Sequence, residues 1–221
     1  DFGNLNRYIG ILDKKRIEDY LKSKIKKSKV KIFHDDNYKI TRIDHLDKNY
    51  NQFWNDVRTR YPITVNRTKK YLNWRFLDHP LLDYHFLLLQ NNSKILGFAV
   101  IRFENNNVEL KAARLVDMIV FEKFEKILLN QIINYCFNKA DFIDFFCTGS
   151  FYKESFLEMD FFNNLVDNLP FPSVFNPIDA DRSSEINFFF KDNTKNIFNT
   201  KLDNIENFYF VKSDSDQDRP N

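Results

Sequence analysis

Two stretches of the sequence carry side chains that could bind a ligand or take part in catalysis. Trp74 and Arg75 are adjacent, and an indole face can pack on a pyranose ring while a guanidinium binds carboxylate or phosphate. They could form a sugar-binding platform, or, because Tyr71 lies on the same helical surface, they could simply pack a helix on a sheet. Asp117 lies among apolar residues, so its carboxylate would need a partner or a raised pKa if buried.

Metal and nucleophile chemistry has little support in the sequence. No serine nucleophile elbow and no Gly-rich nucleotide fingerprint is present. Cys136 and Cys147 lie in apolar stretches, which favours buried structural thiols. The run Asp214–Asp218 alternates acidic residues as a calcium loop does, but it lacks the glycine and the closing glutamate, so it indicates either a structured or a disordered tail. The four histidines are scattered, with no metal-ligand spacing: His34, His45, His79 and His85.

The overall composition is typical of a globular protein. Of 221 residues, 43% are hydrophobic and 29% are charged. The formal charge of +2 is too small to predict a nucleic-acid partner. No apolar run approaches the roughly 20 residues that span a bilayer, and no signal peptide is evident. We therefore expect a soluble, cytoplasmic protein, and the start at Asp1 indicates a fragment.

The elements that would position these residues alternate between helix and strand. Hydrophobic periodicity and turn signals define them. The predicted helices cover residues 14–31, 47–60, 67–77, 122–136 and 152–159. The predicted strands cover residues 7–12, 38–43, 84–90, 95–103, 108–120, 142–147, 186–191 and 208–211. Asn66 is the expected N-cap of the third helix.

The order of these elements predicts a mixed sheet. Strands 84–90, 95–103 and 108–120 follow one another through Asn-rich turns and should form an antiparallel meander. Helix 122–136 then crosses over to the compact apolar run 142–147, so strands 108–120 and 142–147 should lie parallel. The expected fold class is α/β (α+β), with a mixed, mostly antiparallel sheet flanked by helices.

This pattern resembles the GNAT superfamily of acyl-CoA N-acyltransferases. The segment Ile95–Val100 is similar to the family's third strand, and Leu157–Phe161 is similar to its helix-to-strand ending. The segments Tyr71–Phe76 and Asp214–Pro220 are similar to GNAT-like proteins of bacterial surface-polysaccharide gene clusters, which carry two GNAT-like halves. The resemblance implies that residues 38–221 are a second, GNAT-like half.

The same resemblance implies a role for the N-terminal segment, residues 1–37. This segment would be the tail of a first GNAT-like half that is missing from the chain. The first half would then be a partner of residues 38–221.

The resemblance also implies where acetyl-CoA or another acyl-CoA would bind. In a GNAT fold the strand equivalent to residues 114–120 splays from its parallel partner and holds the pantetheine arm, and the next helix N-terminus receives the pyrophosphate. In this chain the loop 121–126 has no glycine, and Glu122 and Glu125 suit a plain capped helix start equally well. The implied cofactor-binding residues are Val116, Met118, Ile119, Lys123, Phe124 and Lys126.

Catalytic roles are implied in the same way. The family's general acid is a tyrosine that aligns with Phe156, which cannot donate a proton. Tyr152, one turn earlier, is the replacement candidate, with packing as the alternative. Asp117 is the first candidate for the general base that accepts a proton from an acceptor amine, and Glu109 is the second, unless both are plain surface carboxylates.

Two functional hypotheses follow from these observations. The first is an acyl-CoA-dependent N-acyltransferase, without a metal, acting on an amino sugar or related amine in surface-glycan biosynthesis, with Trp74 and Arg75 binding the acceptor. The second is a catalytically degenerate GNAT-like half that recognises the acceptor or supports its partner half. The first hypothesis requires the strands that carry Asp117 and Asp144 to diverge.

Overall fold

The computed structural model describes residues 3–35, 37–104, 110–167, 169, 171–172, 186–191 and 202–215. Within these residues the helices are α1 (Lys14–Leu21), α2 (Asn49–Val57), α3 (Lys69–Leu72), α4 (Glu125–Cys136), α5 (Lys153–Glu158) and α6 (Asn164–Asp167). The strands are β1 (Gly3–Asn4), β2 (Asn6–Ile11), β3 (Lys39–Ile43), β4 (Ile63–Thr64), β5 (Tyr84–Asn91), β6 (Lys94–Glu104), β7 (Ala112–Val120), β8 (Phe142–Cys147), β9 (Phe162–Asn163), β10 (Asn187–Phe188) and β11 (Phe208–Tyr209).

A seven-stranded sheet has the order β3-β5-β6-β7-β8-β2-β9. Strands β3, β5, β6 and β7 are antiparallel neighbours, which is the predicted meander extended by the predicted strand 38–43. Strand β8 pairs with β7 in the parallel direction, as the crossover through α4 requires. The predicted mixed, mostly antiparallel sheet flanked by helices is therefore confirmed.

Helices cover both faces of this sheet. On one face, α4 and α5 pack through aromatic contacts, such as Phe156 of α5 stacked on Tyr8 of β2 at 4.8 Å between ring centroids. On the other face, α2 places Phe53 at 6.4 Å from Phe98 of β6. Because side chains alternate along a strand, the face that α2 covers also carries Asp117 and Asp144. Among the described residues, no helix is both long enough and apolar enough to cross a lipid bilayer.

Strand β2 is the element whose position the sequence did not predict. The predicted strand 7–12 is present, but it lies inside the main sheet, antiparallel to both β8 and β9. Its residues Tyr8, Ile9 and Ile11 are fully buried. Periodicity identifies a strand but not a partner more than 130 residues away. The assignment of residues 1–37 to a missing half stays a prediction.

Two predicted helices have different limits in the structure. The helix predicted over residues 14–31 ends at Leu21, where Lys22 adopts a left-handed conformation with φ 50°. The helix predicted over residues 67–77 has Thr68 as its N-cap rather than Asn66, because the Thr68 hydroxyl accepts a hydrogen bond from the Tyr71 amide. Asn66 instead accepts a hydrogen bond from the Trp54 indole at 2.8 Å. From residue 73 to residue 77 the α3 helix continues as a π-helical turn.

Candidate functional site

Strands β7 and β8 diverge in the middle of the sheet. They pair in parallel only from Ala112 and Phe142 to Leu115 and Phe145. On its other side β7 remains paired with β6, but the register skips Val116, which forms a β-bulge. A bulge increases the local twist of a strand, and here it stands where β7 leaves β8. An opening between the two strands follows, as the family resemblance implies.

Tyrosine side chains occupy this opening. The Met118 carbonyl of β7 accepts hydrogen bonds from the Tyr152 hydroxyl at 2.8 Å and from the Tyr209 hydroxyl. The Val120 amide donates to the Tyr61 hydroxyl at 3.3 Å, and the hydroxyls of Tyr61 and Tyr152 share a further hydrogen bond. All three tyrosines are buried. The backbone groups that β7 turns toward the opening are therefore satisfied by the chain itself.

The three tyrosines come from separate parts of the chain. Tyr61 follows α2, Tyr152 precedes α5, and Tyr209 belongs to β11. The Tyr209 ring lies 4.7 Å from the Tyr61 ring and packs edge-on against Tyr152 at 5.9 Å. Tyr152 has a left-handed backbone with φ 63°, which is uncommon for a bulky residue and persists only where the surroundings fix it. An isolated antiparallel bridge between Cys147 and Val211 holds the segment of Tyr209 against β8.

Burial keeps these hydroxyls protonated. Burial, together with the neighbouring Tyr209 and Tyr61, raises the pKa of Tyr152 well above its ordinary value. Burial and the nearby Asp117 do the same to the pKa of Tyr209. Both hydroxyls therefore remain hydrogen-bond donors to the Met118 carbonyl throughout the neutral pH range. Tyr152 lies at the opening, as its predicted role as general acid requires, although that role stays a prediction.

Asp117, the predicted general base, belongs to a buried ion triad. Its Oδ2 accepts a hydrogen bond from Arg67 Nε at 2.8 Å, and Arg67 Nη2 donates to both carboxylate oxygens of Asp214. All three side chains are fully buried. Arg67 Nη1 donates to the Thr64 hydroxyl at 2.6 Å, so the guanidinium has partners on each side. The predicted need of a buried Asp117 for a partner is met by Arg67, which lies 50 positions earlier in the chain.

The two carboxylates of the triad share a single guanidinium. Burial raises the pKa of Asp117 above its ordinary value despite the opposing effect of Arg67. Burial likewise raises the pKa of Asp214 to about 6. Among the described residues, Asp117 Oδ1 has no hydrogen-bond partner. The role of Asp117 as a general base stays a prediction, and Glu109, the second candidate, lies outside the described residues.

The predicted phosphate-binding loop before α4 presents little free positive charge. Lys126 forms an ion pair with Glu158, and Lys123 lies 5.0 Å from the centre of the Phe124 ring at the surface. The buried Glu125 carboxylate accepts hydrogen bonds from Arg60 and from the Ser155 hydroxyl. A carboxylate of the chain thus lies near the helix N-terminus where the resemblance implies a pyrophosphate.

A cleft of about 720 Å³ lies between the N-termini of α4 and α5. Five carboxylates and three cations line the cleft. The carboxylates are those of Glu122, Glu125, Glu154, Glu158 and Glu206, and the cations are Arg60, Lys126 and Lys153. Glu206 accepts hydrogen bonds from both the amide and the hydroxyl of Ser150, at 2.7 Å for the amide. This cleft is therefore unfavourable for a diphosphate.

The remaining predicted residues are distributed between the core and the surface. Val116 and Ile119 are fully buried in the apolar core. Trp74 is 66% exposed, so the interpretation of this residue as core packing is wrong, and the half-buried Tyr71 lies 6.1 Å from it. Arg75 is buried and donates hydrogen bonds to the Ser213 carbonyl and the Tyr84 hydroxyl. Trp74 is thus exposed whereas Arg75 is buried against the chain, and the binding of an acceptor by these two residues stays a prediction.

No sequence motif marks Tyr61, Tyr209, Arg67 or Arg60 as functional residues. Each lies in a stretch without a motif, and each acquires its role by a contact with β7 or α4 that only the fold creates. The one signal available was Asp117, whose apolar surroundings called for a cation elsewhere in the chain. Nothing indicated which of the 33 lysines and arginines of the chain would supply it.

Comparison with known proteins identifies the fold. No protein-family model and no curated protein matches the sequence. The chain is similar in structure to a GCN5-related N-acetyltransferase from Anabaena variabilis, with a TM-score of 0.51 and 11% identity over 73% of this chain and 38% of that chain. N-myristoyltransferase of Saccharomyces cerevisiae gives a TM-score of 0.48 and 13% identity over 71% of this chain and 46% of that chain. A conserved protein of unknown function from Staphylococcus epidermidis gives a TM-score of 0.46 and 14% identity over 73% of this chain and 57% of that chain.

The likeness to the Anabaena protein concerns the fold. It confirms that the chain has a GNAT-type fold, with the mixed sheet that the sequence predicts. The chain spans 38% of the length of that protein. A shared fold does not specify an activity or a substrate, because these depend on the residues of the site.

Proposed function

We propose that this chain is the non-catalytic GNAT-type half of an acyl-CoA-dependent N-acyltransferase, and that it supports a catalytic partner half. The observation that carries the proposal is the set of tyrosine hydroxyls on the Met118 carbonyl and the Val120 amide. In the fold that this chain resembles, such groups of the splayed strand hold the pantetheine arm. Here they already have partners.

Energetic considerations support a closed opening. A buried backbone group that loses its hydrogen bond costs about 1–3 kcal/mol, so an entering pantetheine would have to replace each bond that it breaks. It would also have to displace the Tyr209 ring, which is fully buried between Tyr61 and Phe151. Moving one large aromatic side chain out of a packed core costs several kcal/mol more. The closed state is thus the stable state of this half.

The charge around the opening supports the same conclusion. Acyl-CoA carries phosphates, whereas the cleft beside the opening contains an excess of carboxylates. Two of these carboxylates occupy the donors that a phosphate would use, since Glu206 binds Ser150 and Glu125 binds Arg60. These carboxylates would repel a diphosphate that approached the N-termini of α4 and α5, and the hydrogen-bond donors there are already occupied.

A second candidate function is N-acyl transfer by this segment itself, to an amino sugar or related amine of bacterial surface-glycan biosynthesis. It is favoured by the divergence of β7 from β8 and by the Tyr152 hydroxyl at the opening. If Tyr209 moved away, the amine would attack the thioester carbonyl directly, Asp117 or water would accept the amine proton, and Tyr152 would protonate the departing thiolate. The exposed Trp74 would offer an aromatic face to the sugar.

Titration calorimetry with acetyl-CoA separates the two functions. The wild-type protein and the Tyr209→Ala variant are compared, with Tyr38→Ala as a control because Tyr38 is half-buried outside the opening. We expect no binding heat for the three proteins, because the acidic cleft and the remaining tyrosines still oppose acyl-CoA.

Two outcomes would count against the non-catalytic assignment. Binding of acetyl-CoA by the wild-type protein would overturn it directly. Binding that appears in Tyr209→Ala and not in Tyr38→Ala would identify a competent site closed by Tyr209, and would support the second candidate. Circular dichroism of each variant verifies that the fold is retained.

A further inference from the structure

Strand β3 forms one edge of the seven-stranded sheet. Its neighbour in the sheet is β5, and among the described residues no backbone hydrogen bond joins β3 to another element on its outer side. The pairing with β5 runs from Lys39 to Ile43 without a bulge. A regular edge of this kind presents a row of amide and carbonyl groups that can pair with the strand of another chain.

The charges of β3 restrict which strand this edge can accept. Charged side chains on an edge strand oppose pairing, above all where like charges come to lie opposite each other. Arg42 is held by Asp83 at 2.5 Å, so its charge has a partner within the chain. Lys39 is the first residue of the strand, and the exposed Asp44 comes directly after the last. The strand therefore has a positive start and a negative end, which favours a partner with the same two ends in the opposite direction.

A second copy of β3 meets this requirement. If two copies pair antiparallel around a two-fold axis at Thr41, all five residues of each strand face a residue of the other. Lys39 then lies opposite Ile43 of the other copy, and Ile40 lies opposite Arg42. The exposed Thr41 lies opposite its own counterpart, and a Thr–Thr pair of this kind can share a hydrogen bond. An axis at Arg42 would instead place the two guanidinium groups opposite each other.

Cavities at both ends of β3 leave room for the residues that precede and follow a second strand. A cavity of about 320 Å³ adjoins Lys39 at the start of β3, and one of about 750 Å³ adjoins Ile43 at its end. Each cavity is bordered by an exposed apolar side chain, Phe33 at the first and Leu81 at the second. Because the two strands run antiparallel, the start of one copy lies beside the end of the other, so a second copy would extend over both cavities.

We propose that β3 is a dimerisation strand through which two copies of this chain join their sheets edge to edge. The formal charge of +2 on each chain is too small to keep two copies apart. In the sheet, β3 lies three strands away from β7, and the opening is on the far side of β7. The dimer therefore does not depend on whether the chain binds acyl-CoA.

Disulfide trapping tests both the pairing and its register. Residues directly opposite each other in an antiparallel pair have Cα atoms about 4.5–5.5 Å apart, a separation that a disulfide can bridge. Thr41→Cys should therefore form covalent dimers on mild oxidation. The two native cysteines are buried and should not contribute.

Two matched controls accompany this variant. Lys39→Cys lies on the same strand, but in this register its two copies are about 14 Å apart, which is too far for a disulfide. Thr59→Cys replaces an exposed threonine outside β3 and measures cross-linking by random collision. Both controls should form covalent dimers at least about tenfold more slowly than Thr41→Cys, because their cysteines meet only by collision.

Sedimentation equilibrium measures the association without a cross-link. We expect the wild-type protein to form a reversible dimer. Thr41→Glu and Thr41→Lys should each weaken this dimer by up to about fivefold, because like charges directly opposite each other are destabilising. An equimolar mixture of these two variants should associate more tightly than either variant alone, since it places opposite charges on the axis.

Three outcomes would overturn the proposal. The first is a wild-type protein that sediments as a monomer at every concentration. The second is cross-linking of Thr41→Cys that is no faster than that of Lys39→Cys or Thr59→Cys. The third is a mixture that associates no more tightly than its components. If the substitutions at Thr41 prevent folding, amide hydrogen exchange of the wild-type protein decides, because equal exchange of residues 39–43 at low and high protein concentration would exclude β3 from an interface.

Discussion

Arg67 joins elements that are far apart in the chain. It holds Asp117 of β7 on one side and Asp214 of the C-terminal segment on the other, and none of the three side chains is accessible. Replacing Arg67 by Met removes the cation and leaves two buried carboxylates. We expect the free energy of unfolding to fall by about 3–5 kcal/mol, as is usual when a buried pair loses one partner.

Urea unfolding followed by circular dichroism measures this effect. Arg58→Met serves as the control, because Arg58 is exposed and its replacement should change stability by no more than about 0.5 kcal/mol. A similarly small change in Arg67→Met would contradict a central role for the triad.

Lys212 makes stability depend on pH in a defined direction. Its pKa is lowered in the folded protein to about 7, from an ordinary value of 10.5. A group whose pKa is lowered by folding contributes most stability above its unfolded pKa, and the contribution is lost as the pH falls through the folded pKa. Between about pH 10 and about pH 7, the wild-type protein should therefore lose up to about 1.4 kcal/mol per pH unit relative to Lys212→Met.

Denaturant unfolding of both proteins in phosphate-free buffer checks this slope. The difference between their unfolding free energies isolates Lys212 from other titrating groups. A difference that stays constant across the alkaline range would show that Lys212 titrates normally in the folded protein.

At the scale of single residues, the sequence indicated that a buried charge requires a partner, but it did not indicate which residue the partner is. It was clear that a carboxylate at Asp117 surrounded by apolar residues requires a cation if buried, and the structure has one. The identity of Arg67 could not be derived, because no local spacing links residues 67 and 117. The same holds for Tyr209, whose hydroxyl reaches the Met118 carbonyl across 91 positions of sequence.

At the scale of elements, β6 approaches β7 closely at Gly97, which pairs with Val120. A Cβ added at Gly97 would lie 2.7 Å from Val120 Cγ2 and 3.0 Å from the Ile119 carbonyl oxygen. Gly97→Ala should therefore destabilise the protein by about 1–3 kcal/mol through overpacking. Guanidinium unfolding measures the change, with Ser93→Ala in the exposed hairpin turn as the control. If Gly97→Ala lowers the free energy of unfolding no more than Ser93→Ala does, β6 and β7 can move apart to accommodate a Cβ without a loss of stability.

The strands were easier to predict than the ends of the helices. Alternating or compact apolar runs identified the meander and the parallel strand within a few residues. The helix predicted over residues 14–31 was too long because its basic and apolar residues keep a helical spacing beyond Leu21. There the chain leaves the helix, and the Val30 amide donates a hydrogen bond to the Ile11 carbonyl, a tertiary contact that periodicity does not reveal.

At the scale of the whole molecule, the C-terminal segment 208–215 links the triad of Arg67 to the opening. Tyr209 fills the opening, and Asp214 belongs to the triad. Between them lies Lys212, on which the charge of the buried Asp144 acts. The sequence predicted a strand over residues 208–211, and it left the run Asp214–Asp218 as either a structured or a disordered tail. Asp214 and Ser215, the described part of that run, are structured. The segment that contains them supplies Tyr209, and it explains why the strands diverge without exposing backbone groups.

The position of the N-terminal strand β2 in the main sheet predicts that residues 1–37 are needed for the rest of the chain to fold. Strand β2 lies between β8 and β9, and its Arg7 is hydrogen-bonded to Asp144. A fragment of residues 38–221 would expose one edge of β8 and leave Asp144 without one of its two arginines. We expect this fragment to lack a cooperative urea transition, whereas the full chain should unfold in a single step. Adding a peptide of residues 1–37 should restore the transition.

Cooperative unfolding of the fragment alone would contradict this expectation. It would also favour a division at residue 37, with residues 38–221 as a domain of their own. A fragment that lacks a cooperative transition and regains it when the peptide is added would have a different consequence for the proposed two-half protein. If residues 1–37 are the tail of a first half, that half would contribute a strand to the sheet of the second, and the two halves would fold as one cooperative unit.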